Sequence, residues 1–153
     1  MNPDAVKKYV KEHGIPAEFS EHPEVDALTT GGAAIATGAK IENIVKVLLF
    51  VDKQGNKAIT IIQGNKKVNG KKIPNLRKPD LATPEQVKSF LNGEIGGISP
   101  IALPGDLIKY VDEEVMKQDF IYGSGGSRFT SVKIQPKFIL EQPNCFVINL
   151  AKE

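Results

Sequence analysis

The sequence has few of the residues that mark disulfide-rich and metal-binding proteins. Its 153 residues include one cysteine, two histidines and no tryptophan. A single cysteine excludes an internal disulfide, and two distant histidines with one cysteine give no metal-ligand cluster. No apolar run is long enough to cross a bilayer, and the first residues do not resemble a signal peptide. These absences favour a cytoplasmic protein without a metal or other cofactor, and Cys145 is expected to be an unreactive core thiol.

Three familiar motifs are also absent. The glycines and lysines at 64–72 have the wrong spacing for a phosphate-binding loop, and no Ser or Thr follows Lys72. The glycines at 123–126 match neither the nucleophile elbow nor the dinucleotide-binding fingerprint, because Tyr122 and Arg128 stand where those motifs need glycine. The sequence therefore indicates no nucleotide loop and no catalytic triad.

The composition is that of an ordinary soluble protein. The chain is 41% hydrophobic and 25% charged, with a net charge of +2. Its length suits one domain, residues 1–153, with room for a sizeable core. The mild basicity permits contact with nucleic acid but does not require it, because the charge is spread along the chain.

Apolar spacing and capping residues predict an α+β domain rather than a doubly wound sheet, because strands and helices do not alternate regularly. Helices are expected to begin at Pro3, after Thr29 and after Thr83. The strands are predicted at 43–52, 57–63, 107–111, 120–122, 129–134 and 145–148, and the first two are expected to form a hairpin.

Lys46 fits this pattern least well. Side chains alternate across a strand, so Lys46 shares one face with Leu48 and Phe50, and the opposite face is also apolar. Apolar residues on both faces predict a central strand that is covered on both sides. The lysine could lay its stem on the core and extend its ammonium group into water. Alternatively, the ammonium group lies on the floor of a pocket, where a low dielectric strengthens its attraction for an anionic or carbonyl oxygen.

Two glycine-rich loops could face such a lysine. The segment 96–100 lets the backbone approach a ligand closely and offers N–H donors, because glycine has no Cβ. The segment 124–128 adds hydroxyl groups, further amides and the guanidinium group of Arg128, which suits phosphate. Each loop alone could be a simple turn. Together with Lys46 they predict a site for an anionic ligand.

These segments resemble one known family. The strand IVKVLLF at 44–50, the loop GGISP at 96–100 and the loop YGSGG at 122–126 are similar to the YbaK/prolyl-tRNA synthetase-associated editing domains, and so is their spacing. His22-Pro23 fits another landmark of the family, and the resemblance extends from the first helix to about Leu140. The resemblance implies a curved, barrel-like mixed β-sheet with flanking helices.

The resemblance also implies an activity, namely hydrolysis in trans of the ester between a wrong amino acid and the terminal adenosine of a tRNA, commonly tRNA for proline. The expected partners are the aminoacylated tRNA end and prolyl-tRNA synthetase. Lys46 would hold the aminoacyl end and the 3′ phosphate, and the backbone of Gly96 would position the scissile carbonyl or a water. The residues expected to bind substrate are Thr29, Gly97, Ser99, Pro100, Ser124, Gly125, Gly126 and Arg128.

Two questions stay open at the level of sequence. Members of the family use either the substrate's own thiol or a positioned water to break the ester, and the sequence does not select between them. Relatives that act on cysteinyl-tRNA have an acidic residue where Ser131 stands. A non-catalytic module that binds tRNA or a nucleotide with the same fold is therefore the alternative hypothesis.

Overall fold

Eight strands and five helices follow one another along the chain without regular alternation. The structure is a computed structural model that describes residues 1–153. The helices are α1 (Pro3–Glu12), α2 (Thr30–Thr37), α3 (Pro84–Leu91), α4 (Glu113–Met116) and α5 (Lys137–Leu140). The strands are β1 (Glu18–Glu21), β2 (Val45–Val51), β3 (Lys57–Gln63), β4 (Asp80–Leu81), β5 (Lys109–Asp112), β6 (Ile121–Ser127), β7 (Thr130–Ile134) and β8 (Cys145–Ile148). None of the helices combines the length and apolar character needed to cross a bilayer.

The strands form two open sheets. One is antiparallel with the order β1-β7-β6, and the other is mixed with the order β4-β2-β3-β5-β8. A single isolated bridge, between Ile44 and Tyr122, links them. The α+β class is confirmed, but the expectation of one barrel-like sheet is wrong, because the hydrogen-bond ladder does not continue from β6 into β2.

Strand β3 is the most deeply buried element. Its side chains alternate between two apolar clusters, one on each face of the five-stranded sheet. Ile59 and Ile61 belong to the larger cluster, and Ala58 and Ile62 belong to the smaller one. All four residues are fully buried. The pattern of a central strand that is covered on both sides therefore describes β3.

Strand β2 was predicted to have that covered position, and it has this position only in part: Val45 and Leu49 are buried, and its other five residues are half-buried. Strand β3 pairs with β2 along its whole length, whereas β4 pairs only with Phe50 and Val51. The edge of β2 beside Lys46 has no strand along it in the five-stranded sheet. Val45 is buried, but Lys46 and Val47 are only half-buried. The open edge of β2 creates the space for a site.

The predicted helix starts are confirmed by their caps. Asn2 caps α1, which begins at Pro3, and its side chain accepts a hydrogen bond from the Ala5 amide at 2.8 Å. Thr29 caps α2, and Thr83 caps α3 in a capping box with Gln86. The predicted strand at 43–52 begins two residues later than expected, because 41–43 form a 3-10 turn.

Candidate functional site

A small cavity opens at the free edge of β2, where the two sheets meet. Its volume is about 110 Å³. Strand β2 forms one wall, the outer face of β6 and β7 forms another, and α2 covers it with one face, on which Thr30, Ala33 and Thr37 are three and four residues apart. The cavity is lined by Ala27, Leu28, Thr29, Thr30, Ala33, Thr37, Ile44, Val45, Lys46, Val47, Leu48, Ile95, Gly96, Ile98, Tyr122, Gly123, Ser124 and Ser131.

Lys46 is the only charged residue that lines this cavity. Its Nζ donates a hydrogen bond to the carbonyl oxygen of Gly64 at 3.3 Å, and no carboxylate pairs with it. An ammonium group has three donors, so two remain for a ligand. Burial lowers the pKa of Lys46, and the positive charge of Lys67 lowers this pKa further. Lys46 is therefore a cation without an anionic partner on the wall of a small cavity.

Gly64 connects the lysine to the helix that covers it. Its carbonyl oxygen also accepts a hydrogen bond from Thr30 Oγ1 at 2.8 Å. A Cβ at Gly64 would lie 2.6 Å from the side chain of Thr30, so only glycine permits this close approach. The end of β3 thus holds both the ammonium group and the start of α2 in place.

Gly96 lines the cavity in a conformation that favours glycine. Its φ is +82°, in the left-handed region. A Cβ on Gly96 would lie 2.8 Å from Leu28 Cδ1 and 3.3 Å from Arg128 Cγ. The backbone of Gly96 therefore lies at the cavity wall.

Of the rest of the segment 96–100, only Ile98 lines the cavity. Gly97 is packed against Glu94 and Ser127. Ser99 is fully buried, and its Oγ accepts a hydrogen bond from the Ile101 amide at 3.4 Å. The carbonyl oxygen of Pro100 accepts a hydrogen bond from Gln142 Nε2 at 2.8 Å. Gly97, Ser99 and Pro100 do not line the cavity.

Only the first residue of the segment 124–128 lines the cavity. Ser124 lines the cavity, and its hydroxyl donates to the carbonyl oxygen of Ser127 at 3.0 Å. Gly125 and Gly126 do not line it, and Gly126, with a φ of +112°, is packed against the chain at 2–3 before α1. Most of this segment therefore shapes the fold around the site.

Arg128 was expected to bind phosphate, but its guanidinium group is already paired. It forms an ion pair with Asp26, in which Nε donates to Oδ1 at 3.0 Å. The hydrogen bond from Arg128 holds the pKa of Asp26 below its usual value, with burial acting in the opposite direction. Arg128 does not line the cavity, and the pair anchors the segment before α2.

Thr29 lies at the cavity and caps α2. Its Oγ1 accepts a hydrogen bond from the Gly32 amide at 3.0 Å. Cys145 lies on β8 and does not line the cavity. Burial raises the pKa of its thiol to about 11, as expected of an unreactive cysteine.

A buried serine–histidine pair also borders the cavity. Ser131 Oγ and His22 Nε2 lie 2.8 Å apart, and His22 Nδ1 lies 2.7 Å from the carbonyl oxygen of Val25. Ser131 is on β7, directly opposite Ser124 on β6 and Ser20 on β1. It lines both the cavity and the cleft beside it.

The chain matches the model of the aminoacyl-tRNA editing domain over residues 22–140. It belongs to this family. The matched range begins at His22 and includes Lys46, Gly96 and Ser131. The resemblance found in the sequence is thereby confirmed.

Individual relatives agree with the family. The proline–tRNA ligase of Nitratidesulfovibrio vulgaris (strain DP4) is 31% identical over 102 residues, which make up 65% of this chain but only 18% of the ligase. The chain thus spans about a fifth of the length of the ligases that it matches. EbsC of Enterococcus faecalis, a proposed Cys-tRNA(Pro)/Cys-tRNA(Cys) deacylase, is 24% identical over 141 residues, covering 90% of this chain and 86% of EbsC.

The editing-domain fold is also found among solved structures. The crystal structure of a proposed trans-editing enzyme for prolyl-tRNA synthetase has a TM-score of 0.85 and 25% identity, covering 99% of this chain and 97% of that one. The crystal structure of the protein APE2540 has a TM-score of 0.86 at 23% identity, covering 97% and 99% of the two chains. The second likeness concerns the fold alone.

The sequence did not reveal several contacts around the editing-domain cavity. Thr30 and Gly64 are 34 residues apart, and Ser131 is 109 residues from His22. His22 stood out only as part of a His-Pro landmark, and no local spacing connects it to a serine on β7. Such contacts depend on the pairing of β7 with its neighbours, which local patterns do not specify.

Proposed function

We propose that the protein is a trans-acting aminoacyl-tRNA deacylase that hydrolyses the ester of a mischarged tRNA, namely tRNA-Pro carrying a small wrong amino acid. The observation that carries this proposal is Lys46, an unpaired cation on the wall of a small cavity in an aminoacyl-tRNA editing domain. A cation in a partly dry site attracts phosphate and carbonyl oxygen more strongly than it would in water.

In this proposal Lys46 holds the aminoacyl end and the 3′ phosphate, and the backbone at Gly96 positions the scissile carbonyl. Thr29 and Ser124, which lie on the cavity wall, contact the ligand directly. The remaining residues that were expected to bind substrate act indirectly, by holding the two loops in place: Gly97, Ser99, Pro100, Gly125, Gly126 and Arg128.

The size of the cavity supports a small amino acid as the part that is recognised. About 110 Å³ accommodates a short side chain, and the mainly apolar wall offers little to a charged one. Synthetases separate small apolar side chains poorly by binding alone, because one methylene contributes only about 1–3 kcal/mol to discrimination. A second site that removes such errors needs a size limit and a grip on the common tRNA end.

The choice of tRNA-Pro rests on the relatives. A similar sequence forms part of proline–tRNA ligases, and a similar structure is a proposed trans-editing enzyme for prolyl-tRNA synthetase. Prolyl-tRNA synthetase is accordingly the protein partner that we propose.

A non-catalytic module that binds tRNA or a nucleotide is the second candidate. The observation that favours it is Ser131, which stands where relatives that act on cysteinyl-tRNA have an acid. Such a module would use Lys46 for binding and would leave the ester intact.

The test is hydrolysis of a panel of tRNA-Pro species charged with alanine, cysteine, serine or proline. We expect the purified protein to release a small wrong amino acid much faster than proline, and Lys46→Met to slow this release about 100- to 1,000-fold. Binding of charged tRNA without loss of the ester would instead support the non-catalytic module.

A further inference from the structure

The hydrogen bonds of His22 determine which of its nitrogens has the proton. The carbonyl oxygen of Val25 can only accept a hydrogen bond, so His22 Nδ1, at 2.7 Å, is the donor. In the neutral imidazole, His22 Nε2 is then the acceptor, and the Ser131 hydroxyl, at 2.8 Å, donates to it. The imidazole is thus in the tautomer that can take a proton from the serine.

This arrangement is that of an activated nucleophile. A serine hydroxyl becomes a competent nucleophile when an adjacent imidazole accepts its proton and a third group fixes the imidazole. The nucleophile in this arrangement is Ser131, the base is His22, and the group that fixes the imidazole is the Val25 carbonyl. Ser131 is 5% exposed and His22 is 8% exposed, so water competes little for their hydrogen bond.

The serine faces the site and not the core. Thr130 and Val132, its neighbours on β7, have the opposite orientation because side chains alternate along a strand, and Val132 belongs to the main apolar cluster. Ser131 shares the cavity wall with Lys46. A bound ester would therefore meet a hydroxyl group and a cation in the same small space.

The segment at 22–27 does not need this pair for its attachment, because other contacts bind it to the turn between β6 and β7. The amide of His22 donates to the carbonyl oxygen of Phe129 at 2.9 Å, and the amide of Ala27 donates to that of Arg128 at 2.9 Å. The ion pair between Asp26 and Arg128 adds a third attachment.

We propose that Ser131 is the catalytic nucleophile and that His22 is its general base, an assignment that rests on the proposed deacylase function. Ser131 Oγ attacks the ester carbonyl carbon while its proton moves to His22 Nε2. The bond from that carbon to the ribose oxygen then breaks, and His22 returns the proton to the ribose oxygen, which leaves the aminoacyl group esterified to Ser131. Water attacks this second ester with His22 as base, the amino acid is released, and Ser131 regains its proton.

Neither of the reaction routes open at the level of sequence includes such an enzyme-bound ester. Direct attack by water, or by a thiol of the substrate, never links the amino acid to Ser131. The covalent intermediate is the feature that an experiment can detect.

The first experiment uses the full chain and the mischarged tRNA that it hydrolyses fastest. The reaction is quenched in acid at short times, and peptides are searched by mass spectrometry for one aminoacyl group on Ser131. We expect this adduct, and we expect Ser131→Ala to slow deacylation by more than about 1,000-fold. Ser20→Ala is the matched control, because Ser20 lies opposite Ser131 on β1 and does not bond to His22. It should keep the parental rate.

A second experiment is independent of tRNA. A fluorophosphonate probe, which reacts with activated serines, should label Ser131 in the parental protein and should not label the His22→Gln variant. The circular dichroism and melting temperature of each variant show whether it is folded. If the panel of tRNAs is not hydrolysed at all, the deacylase proposal fails, and labelling of Ser131 still decides whether this serine is activated.

Two results would overturn the assignment. One is a Ser131→Ala protein that deacylates at the parental rate, which would leave the deacylase function intact and remove its nucleophile. The other is a folded parental protein with neither an aminoacyl adduct nor a probe label on Ser131.

Discussion

Two of the lysines that lie in strands, Lys46 and Lys109, have different surroundings. Lys109 on β5 is fully buried, and its Nζ donates to the carbonyl oxygens of Leu107 at 2.8 Å and Pro143 at 2.9 Å. Lys46 on β2 is half-buried and has one long hydrogen bond, at 3.3 Å. Burial lowers the pKa of both residues. Of the two, only Lys46 lies on the cavity wall with two donors left for a ligand, so free hydrogen-bonding capacity, and not burial, distinguishes the lysine that we propose to hold the substrate.

Replacing Lys46 with Met separates its two possible roles. Met retains the apolar stem and removes a charge that is partly desolvated, so we expect an equal or higher melting temperature. Deacylation should fall about 100- to 1,000-fold, as when one charge-stabilising contact to a transition state is lost. Lys88→Met, at an exposed position on α3, is the control and should change neither quantity. Parental turnover in Lys46→Met would show that this lysine has no part in the reaction.

The stability of Lys46→Met relative to the parent should depend on pH. Folding lowers the pKa of Lys46. At a pH between the folded and unfolded pKa values, the unfolded chain therefore binds more protons than the folded one. The stability of the parent rises with pH in this range. The advantage of the Met variant should therefore be largest near neutral pH and should shrink as the pH approaches 10.5, the ordinary lysine value. Urea unfolding at several pH values measures this difference.

Gly96→Ala tests the loop at the level of one atom. The left-handed conformation, with a φ of +82°, should make the variant less stable by about 1–2 kcal/mol. The new Cβ would also press on Leu28 at the cavity wall, so deacylation should fall further than this instability explains. Gly14→Ala is the matched control, because its φ is +61° and a Cβ there meets no atom within 4 Å. Equal activity in the two variants would show that Gly96 serves only the turn and not the reaction.

Helix α2 differs from the other helices in having no buried residue. Its Ile35 is 76% exposed, whereas α3 buries Val87 and Leu91 in the main apolar cluster. The stability of a helix in a protein comes mainly from packing of its apolar face. Helix α2 is therefore held at its start by Thr30, whose hydroxyl donates to the carbonyl oxygen of Gly64, and it covers the cavity without being part of the core.

Local opening of α2 should follow from this weak attachment. We expect its amide hydrogens to exchange with solvent well before those of β3. Thr29→Ala removes the N-cap, which costs about 1 kcal/mol, and should speed exchange in α2 without lowering the melting temperature. Thr83→Ala, which removes the same type of cap from the packed helix α3, should lower the melting temperature. Exchange in α2 as slow as in β3 would contradict this view.

The elements show where sequence patterns suffice and where they fail. Local signals, such as Pro after a capping Thr at α3 or the turn between β2 and β3, predicted elements correctly because the physics is local. The expected burial of β2 is only partial, because an apolar pattern does not tell how far a neighbouring strand extends along it. The pairing of β7 with β1 and β6, which positions Ser131, joins distant parts of the chain and could not be predicted from spacing.

At the scale of the whole molecule, positive charge near the cavity is the feature relevant to tRNA. Lys66 and Lys67 are exposed in the turn after β3, and Lys67 is close enough to Lys46 to lower its pKa. Lys72, in the same basic segment of the sequence, is occupied, because its Nζ donates to the carbonyl oxygen of Ala151 at 2.8 Å. These lysines are neighbours in the sequence. Only the fold shows that Lys72 is hydrogen-bonded within the protein, whereas Lys66 and Lys67 are exposed.

Salt dependence of tRNA binding tests this distinction. If lysines near the cavity neutralise phosphates, the logarithm of the binding constant should fall linearly with the logarithm of salt concentration, by about 0.7–0.9 per contact. Lys67→Gln should reduce this slope by about one contact. Lys72→Gln removes the same formal charge from an ammonium group that is already occupied, and it should leave the slope almost unchanged. Binding titrations at several salt concentrations measure these slopes. A slope near zero in the parent would exclude phosphate contacts at this turn, and so would equal slopes in the two variants.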